Sequence, residues 1–114
     1  MFSLDPTRGS EQAGTRPVVI VSRDSINHSA VGTNRTIVVV CVPVTDRRNL
    51  HRLYPSHVEL EKSAGGLTKD SVALCEQIRA VSLNRLVRYV GKLTASNLSE
   101  IEEALRLVLV LPAN

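Results

Sequence analysis

With 114 residues, 43% of them hydrophobic, and a formal net charge of +3, the chain has the apolar content of one packed domain over residues 1–114 and no room for a second. No apolar run nears the roughly 20 residues that cross a bilayer, and Met1-Phe2-Ser3-Leu4-Asp5-Pro6 lacks the basic and apolar regions of a secretion signal, so a cytoplasmic protein without membrane contact is expected. Cys41 and Cys75 lie in apolar runs outside any C-x-x-C pair, and His28, His51 and His57 have no ligand spacing, which predicts reduced core cysteines and no metal or other cofactor.

The first notable stretch is polar: Pro6-Thr7-Arg8-Gly9-Ser10-Glu11-Gln12-Ala13-Gly14-Thr15-Arg16-Pro17. Its glycines and prolines favour a fixed path, and its hydroxyls, carboxamide and guanidinium groups suit a phosphate or a sugar hydroxyl. It leads into Val18 to Ser22, a β-branched run too short for a helix and predicted as a buried strand. Residues 23 to 35 are polar and aperiodic, hence a long surface loop. Thr36 to Val44 is the second core strand, with Pro43 expected near its end because proline cannot donate to a ladder.

A basic loop, Thr45 to Arg52, follows; His57 to Glu61 then alternates at period two, as a half-exposed strand does. Gly65-Gly66 marks a turn. Ser71 to Val81 holds no single period, and its β-branched content favours a strand. A helical turn at Leu83 to Leu86 and a strand at Tyr89 to Leu93 precede the clearest helix, where Leu98, Ile101, Leu105 and Val108 or Leu109 form one apolar face. Thr94 or Ser96 caps its start and Pro112 stops it. Several strands followed by one helix describe a mainly β domain, a small barrel-like antiparallel sheet with a C-terminal helix packed on it.

Of the 14 basic residues 11 are arginine, and seven of these (Arg8, Arg16, Arg23, Arg35, Arg47, Arg48, Arg52) fall in the first 52 positions, against four acids. The planar, permanently charged arginine fork matches phosphate oxygens, so this skew favours a polyanionic partner. Only Phe2, Tyr54 and Tyr89 are aromatic, which argues against base stacking as the main binding mode.

Three separated motifs, Arg8 to Val18, Val42-Pro43-Val44-Thr45, and Asp70 to Arg79, resemble the MazF/PemK family of toxin endoribonucleases, in the family's order and from about Leu4 to the last helix. The resemblance implies an SH3-like small barrel with a C-terminal helix. It also implies a metal-independent, sequence-specific cut of single-stranded RNA such as mRNA, a homodimer, and a cognate antitoxin whose acidic tail covers the RNA groove. Carried over by position, Arg16 and Thr45 match the catalytic arginine and threonine. Ser10, Glu11 and Gln12 match the loop over the RNA, and Glu76, Gln77 and Arg79 match a strand lining the groove; Arg8, Arg47 and Arg48 are further candidate RNA contacts. The family's first strand is shortened here to Met1-Phe2-Ser3-Leu4-Asp5, a loss of ladder bonds worth on the order of 1 kcal/mol each.

These residue types fit the implied chemistry. RNA carries its own nucleophile in the ribose 2′-hydroxyl, leaving the protein to orient it, stabilise the phosphorane and move two protons. Arg16 is assigned the electrostatic role, because arginine stays protonated, and Thr45 donates to a non-bridging oxygen. Glu11 is the candidate general base, with His51 and His57 as alternatives. A competing reading is a non-catalytic toxin of the same fold that binds a protein target such as gyrase, or an inactive truncated member; the Arg16 and Thr45 pair favours cleavage.

Overall fold

The computed structural model describes residues 2–4, 16–22 and 38–112, with residues 2–4 described by their backbone. Among the described residues there are seven strands: β1 (Phe2–Leu4), β2 (Arg16–Ile20), β3 (Val38–Asp46), β4 (His57–Leu60), β5 (Ser71–Leu74), β6 (Arg79–Ser82) and β7 (Leu86–Tyr89). The α-helix of the described residues, α1 (Ala95–Leu109), follows them. The predicted loop over residues 23 to 35 lies outside the described residues.

All described pairings are antiparallel, in the order β4-β5-β3-β2-β1-β7, with β6 joined to β3 beside β5. The end strands β4 and β7 are not bonded to each other among the described residues, so the sheet is barrel-like without being closed. The central strand β3 carries three neighbours because its nine residues are shared out. Val38 to Cys41 pair with β6, Cys41 to Pro43 with β2, and Val44 to Asp46 with β5. Pro43 therefore sits where the β6-paired stretch has ended and the β5-paired stretch has not begun, a place in a central strand where a missing N–H is tolerated. The shortened first strand is central too: its three residues bridge β2 and β7, with Leu4 opposite Arg16 and Ser3 opposite Arg88.

Two sequence expectations are corrected. Ser71 to Val81 is not one strand: β5 and β6 flank a 3-10 turn at Cys75–Gln77, and this turn is why no single period runs through the segment. The last strand is Leu86–Tyr89 rather than Tyr89 to Leu93. Leu93 is instead a buried side chain under the helix, an apolar residue serving the core from a connecting segment.

The core is divided between the two sides of the sheet. Val19, Val42, Val44, Val58, Leu60, Ala73, Cys75, Ile101 and Ala104 form the larger cluster under α1, while Val18, Val39, Cys41 and Val81 form the smaller one on the β6 side. Adjacent residues such as Val18 and Val19 enter opposite clusters, as the two-residue period of a strand buried on both faces requires. Both cysteines are free and buried; burial pushes the Cys75 thiol up to about 11, with Glu76 adding to the effect.

Helix α1 starts as expected, the Thr94 hydroxyl accepting from the Asn97 backbone N–H at 3.1 Å. Leu98, Ile101, Leu105 and Val108 face the core, so of the alternatives Val108 and Leu109 it is Val108 that packs. The helix ends before Pro112, on a left-handed Val110 (φ 55°) whose following N–H, at Leu111, donates to the Arg106 carbonyl at 2.9 Å. Below it, the left-handed Gly65 and Gly66 touch the Val90-Gly91 backbone so closely that a Cβ added to Gly91 would lie 2.4 Å from the Gly65 carbonyl oxygen.

Two stability outcomes follow from this packing. Ile101→Ala, which empties a site 1% exposed, is expected to cost about 2–5 kcal/mol, read as a lower urea midpoint with unchanged m. Gly91→Ala is expected to destabilise by about 1–3 kcal/mol although it adds only a methyl group; an unchanged midpoint would show that the two backbones are not held in contact.

Candidate functional site

Strands β2 and β3 are paired with Val18 opposite Pro43 and Val19 opposite Val42. Carried two residues on, this register brings Arg16, the first residue of β2, level with Thr45, the penultimate residue of β3. Beyond Pro43 the partner of β3 becomes β5, and the strands part. A cavity of about 350 Å³ opens at that divergence, lined by Arg16, Pro17, Thr45, Asp46, Asn49, Lys69 and Arg88 among others. Its apolar lining comes from Val44, Leu67 and Val90.

Polar side chains at one end of this cavity are fixed by a short turn. Arg47–Asn49 forms a 3-10 turn capped by Asp46, whose carboxylate accepts from the Arg48 backbone N–H at 2.9 Å. The turn is held further by the Arg47 N–H donating to the Asp70 carbonyl (3.0 Å) and by the Arg47 guanidinium donating to the Leu50 carbonyl (2.9 Å). It folds Asn49 back over Thr45, where the Asn49 amide donates to the Thr45 hydroxyl oxygen at 3.0 Å.

Charge in the cavity is unequally balanced. Asp46 is gripped by Arg48 (2.9 Å) and Lys69 (3.3 Å); the Arg48 hydrogen bonds above all hold its carboxyl far below the usual carboxylate range. Arg16 and Arg88 make no ion pair among the described residues. Two guanidinium groups and a hydroxyl thus face one pocket whose only carboxylate lining among the described residues is already neutralised, an arrangement that attracts an anion with forked hydrogen-bond acceptors.

Of the residues picked out in the sequence, Arg16 and Thr45 come together here. Arg47 and Arg48 belong to the adjoining turn, with Arg48 committed to Asp46. Gln77 lies in the 3-10 turn after β5, not in a strand, and Arg79 opens β6 opposite Cys41. Cys41 is four residues from Thr45 along β3, roughly 13 Å at strand rise, so neither Gln77 nor Arg79 lines the cavity. His51 is exposed and outside it. His57 is occupied elsewhere: its Nδ1 accepts from the Tyr54 N–H at 3.1 Å and its Nε2 lies 3.2 Å from the Glu76 carboxylate. Arg8, Ser10, Glu11 and Gln12 lie outside the described residues.

Asn49, Lys69 and Arg88 line the cavity without being marked as candidates by the sequence. Asn49 had a signal, since an Asp followed three residues later by Asn suits a capped turn that returns to the strand end. Arg88 was hidden by starting the last strand at Tyr89. Lys69 sits in the turn before β5, where charge alone says little.

Comparison with known proteins matches residues 1–109 to the family described as PemK-like, MazF-like toxin of type II toxin-antitoxin system. The chain is 43% identical over 104 residues to the endoribonuclease MazF9 of Mycobacterium tuberculosis, covering 91% of this chain and 86% of that protein. It is 40% identical over 105 residues to the endoribonuclease MazF of Staphylococcus saprophyticus, covering 92% and 82%. Among solved structures, an endoribonuclease in complex with its cognate antitoxin from a mycobacterial species superposes with a TM-score of 0.72 at 26% identity, over 99% of this chain and 93% of the other. MazF from Deinococcus radiodurans superposes with 0.69 at 26% identity, over 96% and 91%.

The Asp46 pairing predicts a pH dependence with a defined sign. Its carboxyl titrates lower in the folded than in the unfolded chain, so its stabilisation is complete above about pH 4 and is lost as pH falls below that. The urea midpoint of Asp46→Asn should therefore lie below that of the wild type at pH 7, and the gap should shrink on acidification toward pH 2; a gap constant over that interval would contradict the pairing.

Proposed function

Because the chain belongs to the PemK-like, MazF-like family of toxins of type II toxin–antitoxin systems, we propose that it is an endoribonuclease toxin that cuts single-stranded RNA such as mRNA. The observation that carries this reading is the shared cavity of Arg16 and Thr45, with Arg88 alongside. A phosphodiester seated there has its non-bridging oxygens within a field of two guanidinium groups, and the Thr45 hydroxyl supplies a directed donor.

The ribose 2′-oxygen attacks phosphorus, the bond from 2′-oxygen to phosphorus forms, and the bond to the 5′-oxygen breaks. The 2′ proton passes to a base and the departing 5′-oxygen gains one, giving a 2′,3′-cyclic phosphate and a 5′-hydroxyl. Arg16 stabilises the charge that accumulates on the phosphorane, a term worth several orders of magnitude in rate where donors are preorganised. The nucleophile belongs to the RNA, so the step requires no metal-bound hydroxide. Glu11 is proposed as the base; His57 is disfavoured for that role by its bonds to Tyr54 and Glu76.

Arg8, Ser10 and Gln12 are proposed to contact the RNA. Arg47 and Arg48, in the turn that adjoins the cavity, and Gln77 and Arg79, farther along the sheet, are proposed to meet neighbouring nucleotides. The protein acts in the cytoplasm as a homodimer, restrained by a cognate antitoxin.

Incubation with a long single-stranded RNA in EDTA tests the reading. Wild type is expected to cut, leaving 2′,3′-cyclic phosphate ends, and Arg16→Ala to be slower by about 10³-fold. Products with 3′-hydroxyl ends, or cutting that Arg16→Ala leaves intact, would overturn it. Glu11→Gln should remove the acidic limb of the pH–rate profile; an unchanged profile would dismiss Glu11 as the base.

A further inference from the structure

Thr45 can serve as a donor only if its single O–H is not spent inside the protein. A threonine hydroxyl has one proton and two acceptor lone pairs, and which way the proton points is decided by what surrounds the oxygen. Here the neighbour is the Asn49 carboxamide, placed with its Nδ2 toward the Thr45 Oγ1 at 3.0 Å. An N–H presented to the oxygen occupies a lone pair and leaves the proton without an acceptor on that side. Both residues line the same cavity, so the proton is turned toward the space where a phosphate oxygen would sit.

We propose that Asn49 is a positioning residue that acts through Thr45, holding its hydroxyl as a hydrogen-bond donor to a non-bridging oxygen of the scissile phosphate. The inference rests on the endoribonuclease reading above and adds a residue to it. Asn49 is placed by the backbone and not by its own preference: the Asp46 cap, the Arg47 N–H to Asp70 carbonyl bond and the Leu50 N–H to Arg47 carbonyl bond (3.2 Å) fix the 3-10 turn that carries it. A donor received by the hydroxyl oxygen also polarises its O–H, strengthening the bond given onward. The polarity of the carboxamide is therefore the operative feature, more than its bulk.

That feature separates two substitutions, one that removes the carboxamide and one that keeps its shape. Asn49→Ala removes the donor and frees the hydroxyl to rotate. Asn49→Asp keeps the shape but offers only acceptors, so it captures the Thr45 proton and places a negative charge beside the phosphate. Single-turnover cleavage of one RNA should show the maximal rate falling about tenfold for Asn49→Ala and about a hundredfold for Asn49→Asp, with the half-saturating RNA concentration of Asn49→Ala within twofold of wild type. In a Thr45→Ala background, Asn49→Ala should cost less than a further twofold, because the residue it acts through is gone.

The inference is overturned if Asn49→Asp cuts as fast as wild type, or if Asn49→Ala slows the Thr45→Ala enzyme as much as it slows wild type. Thermal transitions of the variants distinguish a lost fold from a lost donor, and the isosteric Asn49→Asp carries the test if Asn49→Ala does not fold. Should wild type itself fail to cut while folded, the endoribonuclease reading falls and takes this inference with it; wild-type cutting with no effect at Asn49 overturns the inference alone.

Discussion

Everything at the candidate site depends on the register between β2 and β3. With Val18 opposite Pro43, a guanidinium and a hydroxyl that are 29 positions apart in the sequence are brought level at the point where the strands separate. A slip of one residue would send Arg16 to the other face of the sheet. The slip is opposed by the core itself: Val18 and Val19 are buried in different clusters, on opposite sides, and exchanging them would disrupt both.

The divergence that opens the cavity has its own cause. Strand β3 is too long for a single partner and changes neighbours near Pro43, from β6 to β5 on one edge. A proline at that step suits the exchange, and the segment beyond it, Val44-Thr45-Asp46, is free to bend toward β5 while β2 continues toward β1. The Asp46 cap then starts the turn that carries Asn49. Three consecutive residues thus serve core packing, the site and the turn in succession, which is economical in chain length and leaves little tolerance for substitution.

How far this was legible in the sequence varies with the kind of signal. β-branched runs located β2 and β3, period-two alternation located β4, and the apolar stripe with its Thr94 cap located α1, because each is decided by local sterics and a single buried face. Ser71 to Val81 reads as one strand because the 3-10 turn inside it has no strong marker of its own; its first residue, Cys75, is apolar and fully buried like the strand before it, while Glu76 and Gln77 are exposed. Leu93 was assigned to a strand because an apolar residue reports burial, not the conformation that buries it. At the site, Arg16 and Thr45 were marked by motif, whereas Arg88 and Lys69 arrive through tertiary pairing that no local pattern encodes. Asn49 falls between these cases, readable from the Asp46 turn but meaningful only once Thr45 is known to face the cavity.

The most direct test of the central claim is an NMR titration of the isotope-labelled protein with an RNA whose scissile ribose lacks its 2′-hydroxyl, so that binding proceeds without cutting. The account predicts the largest shifts at the Arg16 guanidinium and the Thr45 methyl and amide signals, with smaller ones at Arg88 and Asn49. Shifts confined to α1 or to the β6 face, with Arg16 and Thr45 undisturbed at saturation, would contradict it.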